Sequence, residues 1–291
     1  MYKGIVLAGG EGTRLYPITK IINKHLLPIF NKPMIYYSLS ILFLMKIKDI
    51  LIICKSRDIN NYKTLLGNGE RFGVRINYDI QDKSNGIPEA FTIGKKFIGK
   101  SSVALILGDN FFYGANLSKK LINKKKKNKN CTIFLYPVQN PSAFGVVELN
   151  NKRKIKSIKE KPKKTLSNLA ITGLYLFDNK VCNYVKKIKP SKRLELEITS
   201  LIKIYAKKKI NLINIGRGST WLDTGTTQNI FNATQFVKNI EERQGFKIGC
   251  LEEIAFLNKW ISKKEIIKNF KFYSGGDYKK YLESLLNKNI K

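Results

Sequence analysis

The fold class this sequence predicts is α/β, a mostly parallel sheet with helices on both faces. Three observations lead to it. Short apolar, β-branched runs recur through the first 140 residues, helical patterns separate them, and a glycine cluster follows the first run directly. Strands alternating with helices form parallel sheets buried on both sides. The chain has 291 residues, 43% hydrophobic and 26% charged, values that exclude disordered and collagen-like classes. At this length a chain buries roughly 75% of its unfolded surface, so its core needs no staples.

Taken in order, strands are expected at Gly4–Leu7, Ile50–Ile53, Ile76–Ile80, Val103–Leu107 and Cys131–Tyr136. The covering helices fall at Met34–Met45, Asn60–Leu66, Pro88–Phe97 and Leu117–Lys126, each with apolar residues at mixed three and four spacing. After Pro141 the texture changes. Extended pieces at Gly145–Leu149 and Thr172–Phe177 precede a helix from about Leu194 to Ala206 and a strand at Ile210–Ile215. The expected organisation is a domain over 1–226, with a nucleotide-binding half to about 140 and a sugar-phosphate-binding half from 141. A helical tail over 227–291 follows, with an amphipathic stretch at Ile230–Arg243 and two or three shorter helices. Such a tail packs on the core or on a neighbouring subunit.

Charge is the anomaly: 54 Lys+Arg against 21 Asp+Glu gives +33. Taken alone it points to a polyanion partner. Lysine is scattered, however, and accompanied by excess Ile and Asn, the bias of an AT-rich genome. Nucleic-acid affinity that falls steeply with salt would favour the polyanion reading. The run Lys124–Lys127 with Lys129 closes a helix, where cations complement the dipole in solvent, and no aromatic residues interleave to stack bases. No specific nucleic acid is expected.

Cys54, Cys131, Cys182 and Cys250 are too widely spaced for a CxxC site, and the single His25 has no histidine partner for zinc or a triad. Met1-Tyr2-Lys3 runs straight into a strand pattern without a signal-peptide h-region, and no apolar stretch reaches the roughly 18 residues of a membrane span. A reduced, soluble, cytoplasmic protein is expected.

Gly9-Gly10-Glu11-Gly12-Thr13-Arg14-Leu15 follows the first strand. Glycines let backbone N–H groups face phosphate oxygens, and Arg14 adds a forked cation. A plain strand-to-helix turn explains the glycines but not Arg14. The loop is not GxGxxG, because Leu15 holds the third glycine position. Gly94–Ser101 formally satisfies GxxxxGKS, yet it closes a helix and precedes a strand, the reverse of a P-loop.

The chain resembles the sugar-1-phosphate nucleotidyltransferases, and among them the bacterial glucose-1-phosphate thymidylyltransferases. The resemblance rests on LAGGEGTRL at 7–15, Lys24, LLPIFNKPMIYY at 26–37, LGDN at 107–110, FGVVE at 144–148, EKP at 160–162, TGLY at 172–175, ELEIT at 195–199, WLDTGT at 221–226 and ERQG at 242–245, in family order. It implies a Rossmann-like fold and attack of a sugar-1-phosphate oxygen on the α-phosphorus of a nucleoside triphosphate, with release of pyrophosphate. The substrates implied are dTTP and glucose 1-phosphate, the cofactor Mg²⁺, the assembly a homotetramer, and the pathway one towards dTDP-rhamnose-type deoxysugars for surface polysaccharide.

Both reactants are anions, so the catalyst must neutralise charge on equatorial and leaving oxygens. The resemblance gives that work to Arg14, Lys24 and Lys161. It places Gly9, Gly10, Gly12, Thr13, Gln81, Gly86 and Asp109 at the nucleotide, and Gly145, Glu160, Ile171, Tyr175 and Arg193 at the sugar and its phosphate. Asp109 ends a buried strand, where open sheets bind ligands, and either it or Asp223 could be an Mg²⁺ ligand or a turn carboxylate; the family motifs make both metal ligands. The Gln81 amide carries a donor and an acceptor, which suits thymine or uracil. Pro88-Glu89 replaces the family's Ala-Gln beside the base, so UTP is the alternative substrate. Leu257 replaces a common Arg, which weakens the implied feedback-inhibitor site.

Overall fold

Alternation along each strand sorts the core into two layers. In the computed structural model, which describes residues 2–128 and 130–287, Ile5, Leu51, Ile53, Val103 and Leu105 face one side of the sheet. Val6, Ala8, Ile50, Ile52, Ala104 and Ile106 face the other. Met1, Lys129 and 288–291, where the N-terminal reading, the lysine run and the tail end partly fall, lie outside the described residues.

The strands are β1 (Tyr2–Ala8), β2 (Pro28–Ile29), β3 (Lys32–Pro33), β4 (Asp49–Cys54), β5 (Arg75–Ile80), β6 (Ser102–Leu107), β7 (Asn110–Gly114), β8 (Cys131–Pro137), β9 (Gly145–Leu149), β10 (Ile155–Glu160), β11 (Leu169–Phe177), β12 (Ile210–Asn214) and β13 (Ser219–Asp223). The helices are α1 (Met34–Leu44), α2 (Ile59–Leu66), α3 (Glu89–Ile93), α4 (Lys95–Ile98), α5 (Leu117–Lys127), α6 (Val181–Val185), α7 (Ile198–Ala206), α8 (Thr227–Gln244), α9 (Leu251–Leu257), α10 (Lys263–Asn269) and α11 (Gly276–Asn287).

Among the described residues one nine-stranded sheet runs β10-β9-β11-β6-β1-β4-β5, with β8 joined to β11 and β12 to β8. The expected parallel sheet is present: β1 pairs in parallel with β4 and β6, β4 with β5, and β12 with β8. Strand β11 enters antiparallel between β6 and β9, so strands from before and after Pro141 share one sheet.

Several elements differ from expectation for identifiable reasons. Helix α1 is buried nearly all round, because α9 of the tail covers the side turned away from the sheet. The Pro88–Phe97 helix divides at Gly94 into α3 and α4. Helix α7 begins at Ile198, not Leu194, since Leu194 takes a left-handed φ of 59° that no helix accommodates. Strands β2, β3, β7, β10 and β13 and helix α6 were not expected. Lys125 is not a solvated cation: its ammonium donates to Met45 O, and burial lowers its pKa. All four cysteines are free and buried.

The tail starts with a complete pair of caps. Thr226 Oγ1 accepts from Asn229 N at 3.2 Å, and Gly245 ends α8 at φ 68°. Ala233 and Val237 pack on Ile29, Met34, Tyr37 and Phe111. Among the described residues no helix is long and apolar enough to cross a membrane.

Candidate active site

The glycine loop leaves β1 at the carboxyl edge of the sheet, where neighbouring strands also deliver their loops. Gly12 turns the chain at φ 66°, Leu15 N donates to Gly12 O at 2.8 Å, and Thr19 Oγ1 closes on the same carbonyl at 2.7 Å. Arg14 therefore projects across to β13. A Cβ on Gly225 would stand 2.6 Å from an Arg14 guanidinium nitrogen, so glycine in the 223–225 segment makes room for this cation beside Asp223.

Asp109 lies one residue past β6 and its Gly108 turn. Lys24 Nζ meets Asp109 Oδ2 at 2.5 Å, and Thr224 N and Oγ1 both donate to Asp109 O, at 3.0 and 2.7 Å. The β7·β13 ribbon pairs Asn110 with Asp223, which sets the two aspartates side by side. Burial alone would raise the Asp109 pKa, but Lys24 holds it well below the usual carboxylate range. Asp223 is pushed up to about 6 by burial and by neighbouring Asp109, against Lys24 and Arg14. Two crowded carboxylates of this kind fit a hard divalent cation. No group of three or more His, Cys, Asp or Glu suited to a metal occurs among the described residues, so such an ion would complete its shell with water and phosphate oxygens.

On the far wall, β10 pairs Glu160 with Gly145. Glu160 Oε2 is buried without a hydrogen-bond partner, and burial raises its pKa. Lys161 follows at φ 37°, a left-handed conformation costly for a lysine, anchored by Lys161 N donating to Phe144 O at 3.0 Å. Arg193 is bridged to Glu195 and Glu197 at 3.2 and 3.5 Å.

These walls enclose a cleft of about 180 Å³ lined by Arg14, Asp109, Gly145, Glu160, Lys161 and Ile171, and also by Tyr175, Arg193 and Asp223. The other expected residues are outside that lining. Lys24 reaches it through Asp109, while Gly10 and Gly12 lie against Lys24 and Thr13 opens the turn before Arg14. Gly9 sits beside Gln81, and Gln81 Nε2 reaches Gly86 O at 3.4 Å.

Sequence reasoning missed Asn110 and Trp221 as a unit. Asn110 Oδ1 accepts from Trp221 Nε1 at 2.6 Å and Gly173 N at 2.9 Å, which turns its Nδ2 onto Asp109 Oδ1 at 3.0 Å. It also missed the Lys55–Glu11 pair at the glycine loop and the Glu89 contact to Gln81. No signal in the sequence pairs the two residues, since 110–114 and 219–223 are short and show no strict alternation.

A phosphate-type loop at the sheet's carboxyl edge, facing paired aspartates and a second wall of cations, defines the molecule as a nucleotidyl transferase. The family model described as nucleotidyl transferase matches residues 3–240, which include every residue of the cleft. A glucose-1-phosphate thymidylyltransferase of Neisseria meningitidis is 45% identical over 287 residues, 98% of this chain and 100% of that one. A Bacillus anthracis crystal structure of a proposed glucose-1-phosphate thymidylyltransferase, in complex with a sucrose, matches at TM-score 0.76 and 39% identity, over 82% of this chain and 96% of that one. A UDP-glucose pyrophosphorylase complexed with UDP-glucose matches at TM-score 0.70 and 25% identity, over 82% and 99%. The chain belongs to the glucose-1-phosphate thymidylyltransferases of the nucleotidyl transferase family.

Proposed function

We propose that the cleft joins dTTP and glucose 1-phosphate into dTDP-glucose with release of pyrophosphate, the entry step to dTDP-rhamnose-type sugars. The observation that carries this reading is the convergence of Arg14, Lys161, Asp109 and Asp223 on one cleft whose remaining buried acceptor, Glu160 Oε2, has no partner.

Lys161 draws in the sugar phosphate, and Glu160, with the Thr199 hydroxyl beside its carboxyl, takes hydrogen bonds from sugar hydroxyls on its buried Oε2. Gly145, Ile171 and Tyr175 shape the sugar wall, and Arg193, tied by two carboxylates, stands at the rim. Gly9, Gly10, Gly12 and Thr13 cradle the triphosphate while Arg14 neutralises it. The attacking phosphate oxygen is already anionic and needs no base; what it needs is relief from repulsion, which Arg14, Lys24 and Lys161 supply. Lys24, held on Asp109, keeps its ammonium at the point where substrate phosphates meet the aspartates. Mg²⁺ held by Asp109 and Asp223 would supply charge neutralisation and alignment of phosphate oxygens. We further infer that copies of this chain assemble through the tail, with the tetramer of the family as the expected size, and that the protein works in the cytoplasm.

Pyrophosphate release with glucose 1-phosphate, measured with dTTP and with UTP, tests the reading. Higher kcat/KM with dTTP is expected. Preference for UTP would transfer the chain to the chemistry of its UDP-glucose pyrophosphorylase neighbour, and no release with either would refute the cleft's assignment.

A further inference from the structure

The end of β4 brings a cation to the glycine loop that the reaction as described does not use. Ala8 is paired with Cys54, so Gly9 and Lys55 leave adjacent strands side by side. Lys55 is only 7% exposed, and its ammonium donates to Glu11 Oε1 in the middle of the loop. Burial lowers the Lys55 pKa, Arg57 adds to the shift, and Asp58 and Asp82 oppose it. Those two aspartates are engaged elsewhere. Asp58 accepts from Asn23 Nδ2 at 2.6 Å, and Asp82 accepts from Ser56 N and Oγ at 2.9 and 2.8 Å. Among the described residues Glu11 is the one carboxylate that pairs with Lys55, and Lys55 the one cation that pairs with Glu11.

The pair could brace the loop or cancel a charge in it. As a brace it adds little, because the Glu11 side chain is 42% exposed, where ion pairs contribute weakly, and Thr19 already closes the loop on Gly12 O. Charge is the stronger argument. No backbone hydrogen bond from Gly9, Gly10 or Glu11 N occurs among the described residues, so these N–H groups are open to an anionic ligand. A carboxylate on the central residue of that loop repels the same ligand, and a buried ammonium in contact with it removes the repulsion.

We propose that Lys55 is a positioning residue for the nucleoside triphosphate, which it serves by cancelling the Glu11 charge in the loop that receives the phosphates. It acts through the loop and does not touch the reacting atoms. The inference rests on the assignment of the glycine loop to the triphosphate.

The test measures KM for dTTP and kcat for pyrophosphate release in wild type, Lys55→Met, Glu11→Gln and the double variant. Direct titration of dTTP gives a second readout, and unfolding midpoints confirm folded protein. Lys55→Met leaves Glu11 facing the phosphates alone. It is expected to raise KM and Kd for dTTP by at least about tenfold, with a smaller effect on kcat and a change in KM for glucose 1-phosphate of no more than about twofold. Glu11→Gln alone is expected not to weaken dTTP, and its addition to Lys55→Met is expected to recover affinity to within about threefold of wild type. A brace gives the opposite pattern, since either single variant breaks the tie and the double variant does not restore it. That pattern, or a smaller rise in Lys55→Met, overturns the role of Lys55 and leaves the enzyme assignment standing. If Lys55→Met does not fold, Glu11→Gln decides alone: dTTP weakened by more than about threefold overturns the proposal, and affinity kept or improved supports it. Wild type that neither binds nor turns over dTTP overturns the assignment of the loop and this proposal with it.

Discussion

His25 shows how a residue with one obvious chemical use can have another. Its ring is fully buried, with Nδ1 2.8 Å from Asn23 Oδ1, which also accepts from His25 N and Tyr62 OH. An amide oxygen can only accept, so the imidazole is a neutral Nδ1–H donor packed on the Gly108 turn that aims Asp109. Burial, reinforced by the Lys24 charge, lowers its pKa from 6.5 to about 3. For a base whose folded pKa is depressed, the unfolded chain takes the proton first. Stability is therefore complete above about pH 6.5 and declines as pH falls from there towards 3. At pH 5 this costs about 2 kcal/mol. Between pH 7 and pH 5 urea unfolding should show wild type losing about 2 kcal/mol more than His25→Gln, whose amide can still donate to Asn23. Equal losses in both proteins would contradict the buried-neutral account. The sequence showed only that a lone histidine has no partner for zinc or a triad; its structural use depends on Asn23 and Tyr62, whose proximity no spacing rule reveals.

At the scale of elements, the long apolar strands were legible because burial on both faces leaves a continuous hydrophobic run, and several helices from their three and four spacing. The β7·β13 ribbon was not, since its halves lie over 100 residues apart and each is only five residues long. That ribbon pairs the aspartates, so the site's residue types could be read while their adjacency could not. Helix α8 gives a second case. Glu241 accepts from Lys32 at 2.7 Å, from Asn31 at 2.7 Å and from Ile248 N at 2.8 Å, tying the β2–β3 hairpin to the tail. Burial lowers the Lys32 pKa although Glu241 opposes the shift. Glu241→Ala should cost about 3–5 kcal/mol, the cost of a buried cation left without its partner. Glu241→Gln should cost less, because it keeps an acceptor for Lys32. Urea midpoints of the two variants decide this, and a cost below about 1 kcal/mol for the alanine variant would show that the tie is not structural.

At the scale of the whole molecule, the catalytic reading explains the site's charges but not the +33 total. The surplus is spread over almost every segment. It also lines the concavity formed by Lys124, Lys127, Arg153, Lys154, Lys208 and Lys209, away from the cleft. Net charge is an argument about solubility and non-specific attraction and does not identify a reaction. What unifies the molecule is the sheet: β1 and β6 carry the glycine loop and Asp109 to one edge, β9 and β10 carry Gly145 and Glu160, and β13 closes the gap with Asp223. The central claim is that Asp109 and Asp223 act as one anionic pair among cations. The most direct test is Mg²⁺-dependent pyrophosphate release from dTTP and glucose 1-phosphate by wild type, Asp109→Asn and Asp223→Asn, with unfolding midpoints confirming folded protein. Each single variant is predicted to lose at least about 100-fold in kcat, on the order of 3 kcal/mol of transition-state stabilisation. Activity within about threefold of wild type in either folded variant would contradict the account.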